Sequence, residues 1–63
     1  MIELIAVNSS AIRAIGWAGG VLRVVFVSGR AYDFPGVPFS VYVAFMNATS
    51  KGGFYNTFIR GRY

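Results

Sequence analysis

The stretch "VLRVVFVSGRAYDFPGVPFSVYVAFM", residues 21–46, decides the fold because its apolar spacing changes along its length from that of a strand to that of a helix. Its first part alternates with a period of two, which places Leu22 and Val24 on one face of a strand. The "PG" at 35–36 supplies the Pro and Gly that a type II turn prefers. Pro38 suits the first position of a helix, where its missing N–H is not needed. We therefore expect two paired strands followed directly by a helix.

Turn residues divide the rest of the first half into further short segments rich in β-branched and aromatic residues. The "AGG" at 18–20 separates a strand "IRAIGW", at 12–17, from the one that follows, and "SG" at 28–29 ends that second strand. The N-terminal segment "ELIAV", at 3–7, is a candidate fourth strand. Because short connections join antiparallel neighbours, we expect a meander of three to four strands.

The second half of the chain has the spacing of helices. The first helix should begin near Pro38 and end at Lys51–Gly52, because glycine is favoured just past a helix and lysine complements its negative end. Beyond it, Phe54 and Phe58 lie four residues apart as on one helix face, although these residues also form strands well. The expected fold is α+β: an antiparallel three- to four-stranded β-meander followed by one helix and a short C-terminal helix or strand.

The composition limits what the protein can do. Sixty-three residues predict a single domain, 1–63, with a thin hydrophobic core. The chain has no cysteine and no histidine, which excludes disulfides, most zinc sites and any catalytic triad that uses histidine. Glu3 and Asp33 are the only acidic residues and lie far apart, so we expect no enzyme activity, no cofactor and no metal. The net charge of +4 favours polyanionic partners.

The sequence gives no sign of a membrane anchor or a secretion signal. Its longest apolar run, "VLRVVFV", is far shorter than the roughly 20 residues that a membrane-spanning helix needs. The start, "MIELIAV", lacks the basic residues and the cleavage site of a signal peptide. We expect a cytoplasmic protein that does not bind membranes.

The first predicted strand carries apolar residues on both faces. Strict alternation places Ile12 and Ala14 on one face, and Ile15 and Trp17 on the other. A strand of this kind indicates that the second face of the sheet is covered. Since small cores are often supplemented by association with another copy, we expect a homodimer or a higher homo-oligomer.

The C-terminal segment "SKGGFYNTFIRGRY", at 50–63, interleaves basic and aromatic residues. This composition is typical of a nucleic-acid surface, and equally of a last helix that buries its rings and leaves its arginines in water. If the segment is helical, "SKGG" at 50–53 leaves backbone donors and a lysine at its start, which makes an anion site. Arg60 and Arg62 either pair with phosphates or are solvated.

Other polar and aromatic residues also have two interpretations. The hydroxyls of Ser9 and Ser10 either contact phosphate oxygens or bond the backbone of a turn. Tyr32 either stacks on a base or packs in the core, with its hydroxyl at the edge. The amide of Asn56 either reads a base edge or satisfies a backbone group.

The order of these motifs resembles that of the KTSC domain, a short module named for the C-terminus of some lysyl-tRNA synthetases. The resemblance covers about residues 5–63, through "VNSSAIRAIGW", "LRVVFVSGRAYDFPGVP" and "VYVAFMNATSKGGFYNTFIRGRY". Its most specific parts are "SS" at 9–10, aromatic–x–aromatic at 32–34, "GVP" at 36–38, "A-x-S-K-G" at 48–52 and "N-x-x-I-R" at 56–60. Phe34 and Trp17 stand where the family commonly has Tyr.

The resemblance implies a β-meander-plus-helix module, found also as a stand-alone protein in bacteria and their viruses, for which RNA binding has been suggested. Together with the charge, it favours a non-catalytic binding module for a phosphate-bearing ligand, either RNA or a small or cyclic nucleotide. For a viral copy, one form is a sponge that sequesters a nucleotide immune signal. The alternative is a protein-interaction module that docks on an acidic host or partner protein. The candidate ligand-binding residues are Ser9, Ser10, Trp17, Tyr32, Ser50, Lys51, Gly52, Asn56, Arg60 and Arg62.

Overall fold

The computed structural model of the chain describes residues 2–63 and has the predicted α+β fold. Its elements are β1 (Ile5–Ala6), β2 (Ile12–Ala18), β3 (Val21–Phe26), β4 (Ala31–Phe34), α1 (Phe39–Asn47) and α2 (Lys51–Phe54), which continues into a π-helix (Tyr55–Ile59). The strands form one sheet in the order β1-β2-β3-β4, and every neighbouring pair is antiparallel. This confirms the meander and its fourth, N-terminal strand. No helix within residues 2–63 is long and apolar enough to span a membrane.

The core lies between one face of the sheet and the helices. Cross-strand partners share a face, so Leu22 and Val24 point toward the helices together with their β2 partners Trp17 and Ile15. Phe45 of α1 reaches the same core. The fully buried side chains are Ile12, Ile15, Leu22, Val24, Val37, Phe45 and Ile59. Burial of each such side chain contributes about 1.5–3 kcal/mol, so seven of them are a small core.

A β-bulge at the start of β2 overturns one prediction. Ile12 pairs with Phe26, whereas Ala14 pairs with Val25, the next residue back along β3, so β2 carries one extra residue, Arg13. The bulge breaks the two-residue period and lets Ile12 and Ile15 both point into the core. The prediction that these two isoleucines occupy opposite faces was therefore wrong. Their burial in one core explains the apolar pattern of β2 without a second layer.

The outer face of the sheet is occupied by the N-terminal segment and by an ion pair. Gly16 is buried there, and a Cβ atom added to it would lie only 2.5 Å from the carbonyl oxygen of Glu3. Beside it, Arg23 of β3 pairs with Asp33 of β4 through two hydrogen bonds of 2.7 and 2.9 Å. The hydrogen bonds from Arg23 hold the pKa of the Asp33 carboxyl below its ordinary value. One of the two acidic residues is thus neutralised on the outer face.

The helices are divided at a point that the sequence did not predict. The prediction of one helix ending at Lys51–Gly52 was wrong: α1 ends at Asn47, and Ala48 is extended. Ser50 then begins α2, and its Oγ accepts a hydrogen bond of 3.0 Å from the backbone N–H of Gly53. Serine is among the best N-cap residues, so "SKGG" begins a helix and does not end one. Of the two structures considered for the last segment, the helix is present.

Candidate functional site

A cleft of about 650 Å³ lies where the β3–β4 hairpin, the turn before β2 and the C-terminal helix meet. We call it the large cleft. Its volume lies within the roughly 300–1,000 Å³ range of small-molecule sites. It is lined by Ser10, Ala11, Phe26, Val27, Ser28, Arg30, Tyr32, Gly52, Tyr55, Asn56 and Arg60.

The charged groups that line the large cleft are all positive. Arg30 comes from the β3–β4 hairpin and Arg60 from the C-terminal segment, and both are exposed. No carboxylate side chain lines the cleft, and Asp33 is paired on the other face of the sheet. Concave surfaces with charge of one sign concentrate the field, so this cleft attracts anions.

The β3–β4 hairpin fixes Arg30 at the rim of the large cleft. Gly29 has φ of 97°, a conformation that glycine adopts without strain, and its N–H donates to the carbonyl of Phe26 at 2.9 Å. The N–H of Phe26 in turn donates to the carbonyl of Arg30 at 2.8 Å. The turn therefore delivers the arginine to the start of β4, two residues before Tyr32 and on the same strand face.

An aromatic wall adjoins these arginines. The ring of Phe26 contacts Tyr32 and Tyr55 edge-to-face, with centroid distances of 5.7 and 5.0 Å. Tyr32 is nevertheless 44% exposed, because β4 is the edge strand of the sheet. Tyr32 thus packs against Phe26 while nearly half of the residue stays exposed.

A second, smaller cleft of about 250 Å³ adjoins the first and shares Ser10, Ala11 and Gly52 with it. We call it the small cleft. Apart from Ala11 and Gly52, its lining consists of side chains with amide, hydroxyl or ammonium groups. These are Asn8, Ser9, Ser10, Thr49, Ser50 and Lys51. It contains no aromatic residue.

Local hydrogen bonds hold the walls of the small cleft. The Oγ of Ser9 accepts from the backbone N–H groups of Ala11 and Ile12, both at 3.2 Å, as the turn interpretation predicted. The ammonium of Lys51 donates to the carbonyl of Ala48. Since an ammonium has three donors, this bond leaves two for other acceptors.

The two clefts bring together eight of the ten predicted residues. These are Ser9, Ser10, Tyr32, Ser50, Lys51, Gly52, Asn56 and Arg60. Trp17 and Arg62 line neither cleft. The indole N–H of Trp17 donates to the carbonyl of Val37 at 2.8 Å, and its ring packs against Phe39.

Sequence reasoning missed Arg30 and Tyr55. A signal for Arg30 was present, because residues two apart on a strand share a face and Tyr32 was already a candidate. Tyr55 had no such signal, because its place in the cleft depends on how the π-helix packs against Phe26 and Phe34.

A third cleft, which we call the apolar groove, lies between α1 and the C-terminus and has a volume of about 340 Å³. It is lined by Ser40, Val41, Ala44, Phe54, Phe58, Arg62 and Tyr63. Phe58 is 48% exposed, and Phe39 and Val43 of α1 are exposed as well. Within residues 2–63 there is no group of three or more His, Cys, Asp or Glu side chains that could hold a metal ion.

Comparison with known proteins identifies the family of the chain and a solved structure with a similar fold. The KTSC domain family matches residues 8–63. A crystal structure of a KTSC domain protein from Yersinia pestis superposes with a TM-score of 0.93 and 33% sequence identity, covering 98% of this chain and 90% of that one. No curated protein matches the chain.

Proposed function

We propose that this chain, which belongs to the KTSC domain family, is a non-catalytic binding module. Its proposed ligand is a phosphate-bearing nucleotide, either RNA or a small nucleotide. One observation carries the proposal. Arg30, Arg60 and the exposed ring of Tyr32 line a single cleft that has no carboxylate. Phosphate and base are the two chemical features of a nucleotide, and this lining complements both.

Each group in the large cleft has a role in this proposal. Guanidinium groups bind phosphate oxygens with two parallel hydrogen bonds, which is the role of Arg30 and Arg60. The ring of Tyr32 stacks on a base, an interaction worth about 1–3 kcal/mol in single-strand binders. The amide of Asn56 both donates and accepts, as the edge of a base requires.

The same lining supports binding over catalysis. General acid–base chemistry is most often performed by His, Asp or Glu side chains. No such side chain lines the large cleft. The two guanidinium groups stabilise a bound anion through hydrogen bonds and charge.

Thermal unfolding of the whole chain tests the proposal. AMP, cyclic di-AMP and a short adenosine RNA are added to the wild type and to the double variant Arg30→Ala/Arg60→Ala. We expect at least one of these ligands to raise the unfolding midpoint of the wild type, since a ligand at about 100 times Kd stabilises the fold by about 2.7 kcal/mol. The double variant should lose the shift, while Arg62→Ala, away from both clefts, should keep it.

The proposal fails if none of the three ligands moves the wild-type midpoint. It also fails if the double variant, still folded, binds as tightly as Arg62→Ala. For RNA, affinity should fall steeply as salt is raised, in proportion to the phosphates contacted.

A protein-interaction module remains the second candidate function, and the apolar groove favours it. The groove offers the exposed aromatic side chains of Phe58 and Tyr63, with Arg62 as the charged side chain of its lining. Aromatic residues and arginine are enriched at protein interfaces. An acidic partner with an apolar side chain would complement this surface and the net charge of +4. A protein that acts only in this way would give no shift in the nucleotide screen.

A further inference from the structure

The large and small clefts adjoin each other, and we call the two together the trough. They meet at Ser10, Ala11 and Gly52, which line both. Positive charge lies at each end, from Arg30 and Arg60 in the large cleft and from Lys51 in the small one. A ligand with a single phosphate would use only one end of this trough.

We infer that the ligand is a linked dinucleotide or a longer single strand, with one nucleotide in the large cleft and the next phosphate in the small cleft. This inference rests on the proposed function and adds the number of phosphates that the site recognises. The ligand class is thus a nucleoside-linked phosphodiester with at least two phosphates, whether a linear strand or a cyclic dinucleotide.

The chemistry of the small cleft supports a phosphate there and not a base. Its volume of about 250 Å³ is less than half the 650 Å³ of the large cleft, which suits a phosphate better than a second complete nucleotide. It has no ring for a base to stack on, but it has hydroxyl, amide and ammonium donors. Such donors bind phosphate and ribose oxygens.

Two small residues, Ala11 and Gly52, form the boundary between the clefts. A Cβ atom placed on Gly52 would lie 3.5 Å from the Cβ of Ala11, an ordinary van der Waals contact, so the two residues pack together and a ligand that reaches both clefts passes over them. Ala11 is exposed, which means that a longer side chain can be accommodated without entering the core. Such a side chain would stand across the trough and separate its two ends.

Titration calorimetry with the whole chain tests the inference through a ratio of affinities. AMP, linear pApA and cyclic di-AMP are titrated into the wild type, Ala11→Leu, Lys51→Gln and the control Ala31→Leu, whose exposed position lies on the outer face of β4. In the wild type, at least one of the dinucleotides should bind about tenfold more tightly than AMP or better. Ala11→Leu and Lys51→Gln should each bring this ratio toward one, and Ala31→Leu should keep the wild-type ratio.

The outcomes separate this inference from the proposed function. If AMP binds and neither dinucleotide binds more tightly, the trough inference is overturned and the single-nucleotide site stands. If no nucleotide binds, both are overturned. Should Ala11→Leu unfold, as its melting curve would show, Lys51→Gln decides alone: an unchanged ratio in that folded variant contradicts a phosphate in the small cleft.

Discussion

At the scale of single residues, Gly16 shows how closely the N-terminal segment packs against the sheet. A Cβ atom at this position would lie 2.5 Å from the Glu3 carbonyl oxygen and 2.6 Å from Cγ2 of Ile2. Contacts below 3.0 Å force the backbone apart, so no side chain fits here without displacing residues 2–3. Gly16 is therefore required for close approach.

We predict that Gly16→Ala destabilises the protein by about 1–3 kcal/mol, the usual cost of inserting a methyl group into a packed site. In a domain of this size that lowers the melting midpoint by about 4–8 °C for each kcal/mol. Gly52→Ala is the matched control, because its Cβ would make an ordinary contact of 3.5 Å within a helix. It should be neutral or slightly stabilising. Equal losses for the two variants, measured by thermal unfolding, would contradict this account of Gly16.

Residues of the candidate site differ in how well sequence located them. The sequence does not distinguish the roles of Arg60 and Arg62. In the structure, Gly61 between them has φ of 80° and turns the chain. Arg60 then lines the large cleft, and Arg62 lines the apolar groove. Residue type and spacing gave the chemistry of this pair, but the direction of each side chain depends on the turn and on the helix before it.

At the scale of elements, local sequence signals predicted the positions of the strands but not the β-bulge in β2. Glycines and the "PG" turn cut the first half correctly, because turn conformations depend on a few adjacent residues. The bulge at Arg13 depends on how β2 and β3 pair, and alternation in one strand contains no information about its partner. The same limit applied at 48–52, where "SKGG" has both a helix-ending glycine and a helix-beginning serine.

Ser50 has a structural role as the N-cap of α2, and this role can be separated from ligand binding. We predict that Ser50→Ala costs about 0.5–2 kcal/mol of stability, because the N–H of Gly53 loses its acceptor. Ser50→Asp should keep the cap, since aspartate is as good an N-cap residue as serine. It also places a negative charge in the small cleft.

Ser50→Ala should therefore lower stability more than binding, and Ser50→Asp should lower binding more than stability. Chemical denaturation should show Ser50→Asp as stable as the wild type, and calorimetry should show it binding dinucleotides more weakly than Ser50→Ala does. If Ser50→Asp binds dinucleotides as tightly as the wild type, no phosphate lies near Ser50.

At the scale of the whole molecule, the polar trough and the apolar groove are separate surfaces that share no lining residue. The apolar pattern on both faces of β2 no longer supports the predicted oligomer, because the bulge and the packing of the N-terminal segment explain this pattern. The observation that supports self-association now is the apolar groove, whose residues Phe58 and Tyr63 are exposed in the single chain. An acidic partner protein would bind the same surface, so one copy of the chain cannot self-associate through the groove and bind such a partner there at the same time.

The dependence of association on salt distinguishes a homodimer from a complex with an acidic protein. Charge repels two copies of this chain, whereas it attracts an acidic partner. Two copies of the chain each carry +4 and repel each other, so screening should strengthen a homodimer, whereas it should weaken docking of an acidic protein. We predict a dimer in sedimentation velocity at high micromolar concentration, with more dimer at about 0.5 M salt than at about 0.05 M. Phe58→Ser should abolish it without unfolding the chain, because Phe58 is 48% exposed and contributes little to the core. A single monomeric species at both salt concentrations would contradict self-association and leave the groove to a partner of opposite charge.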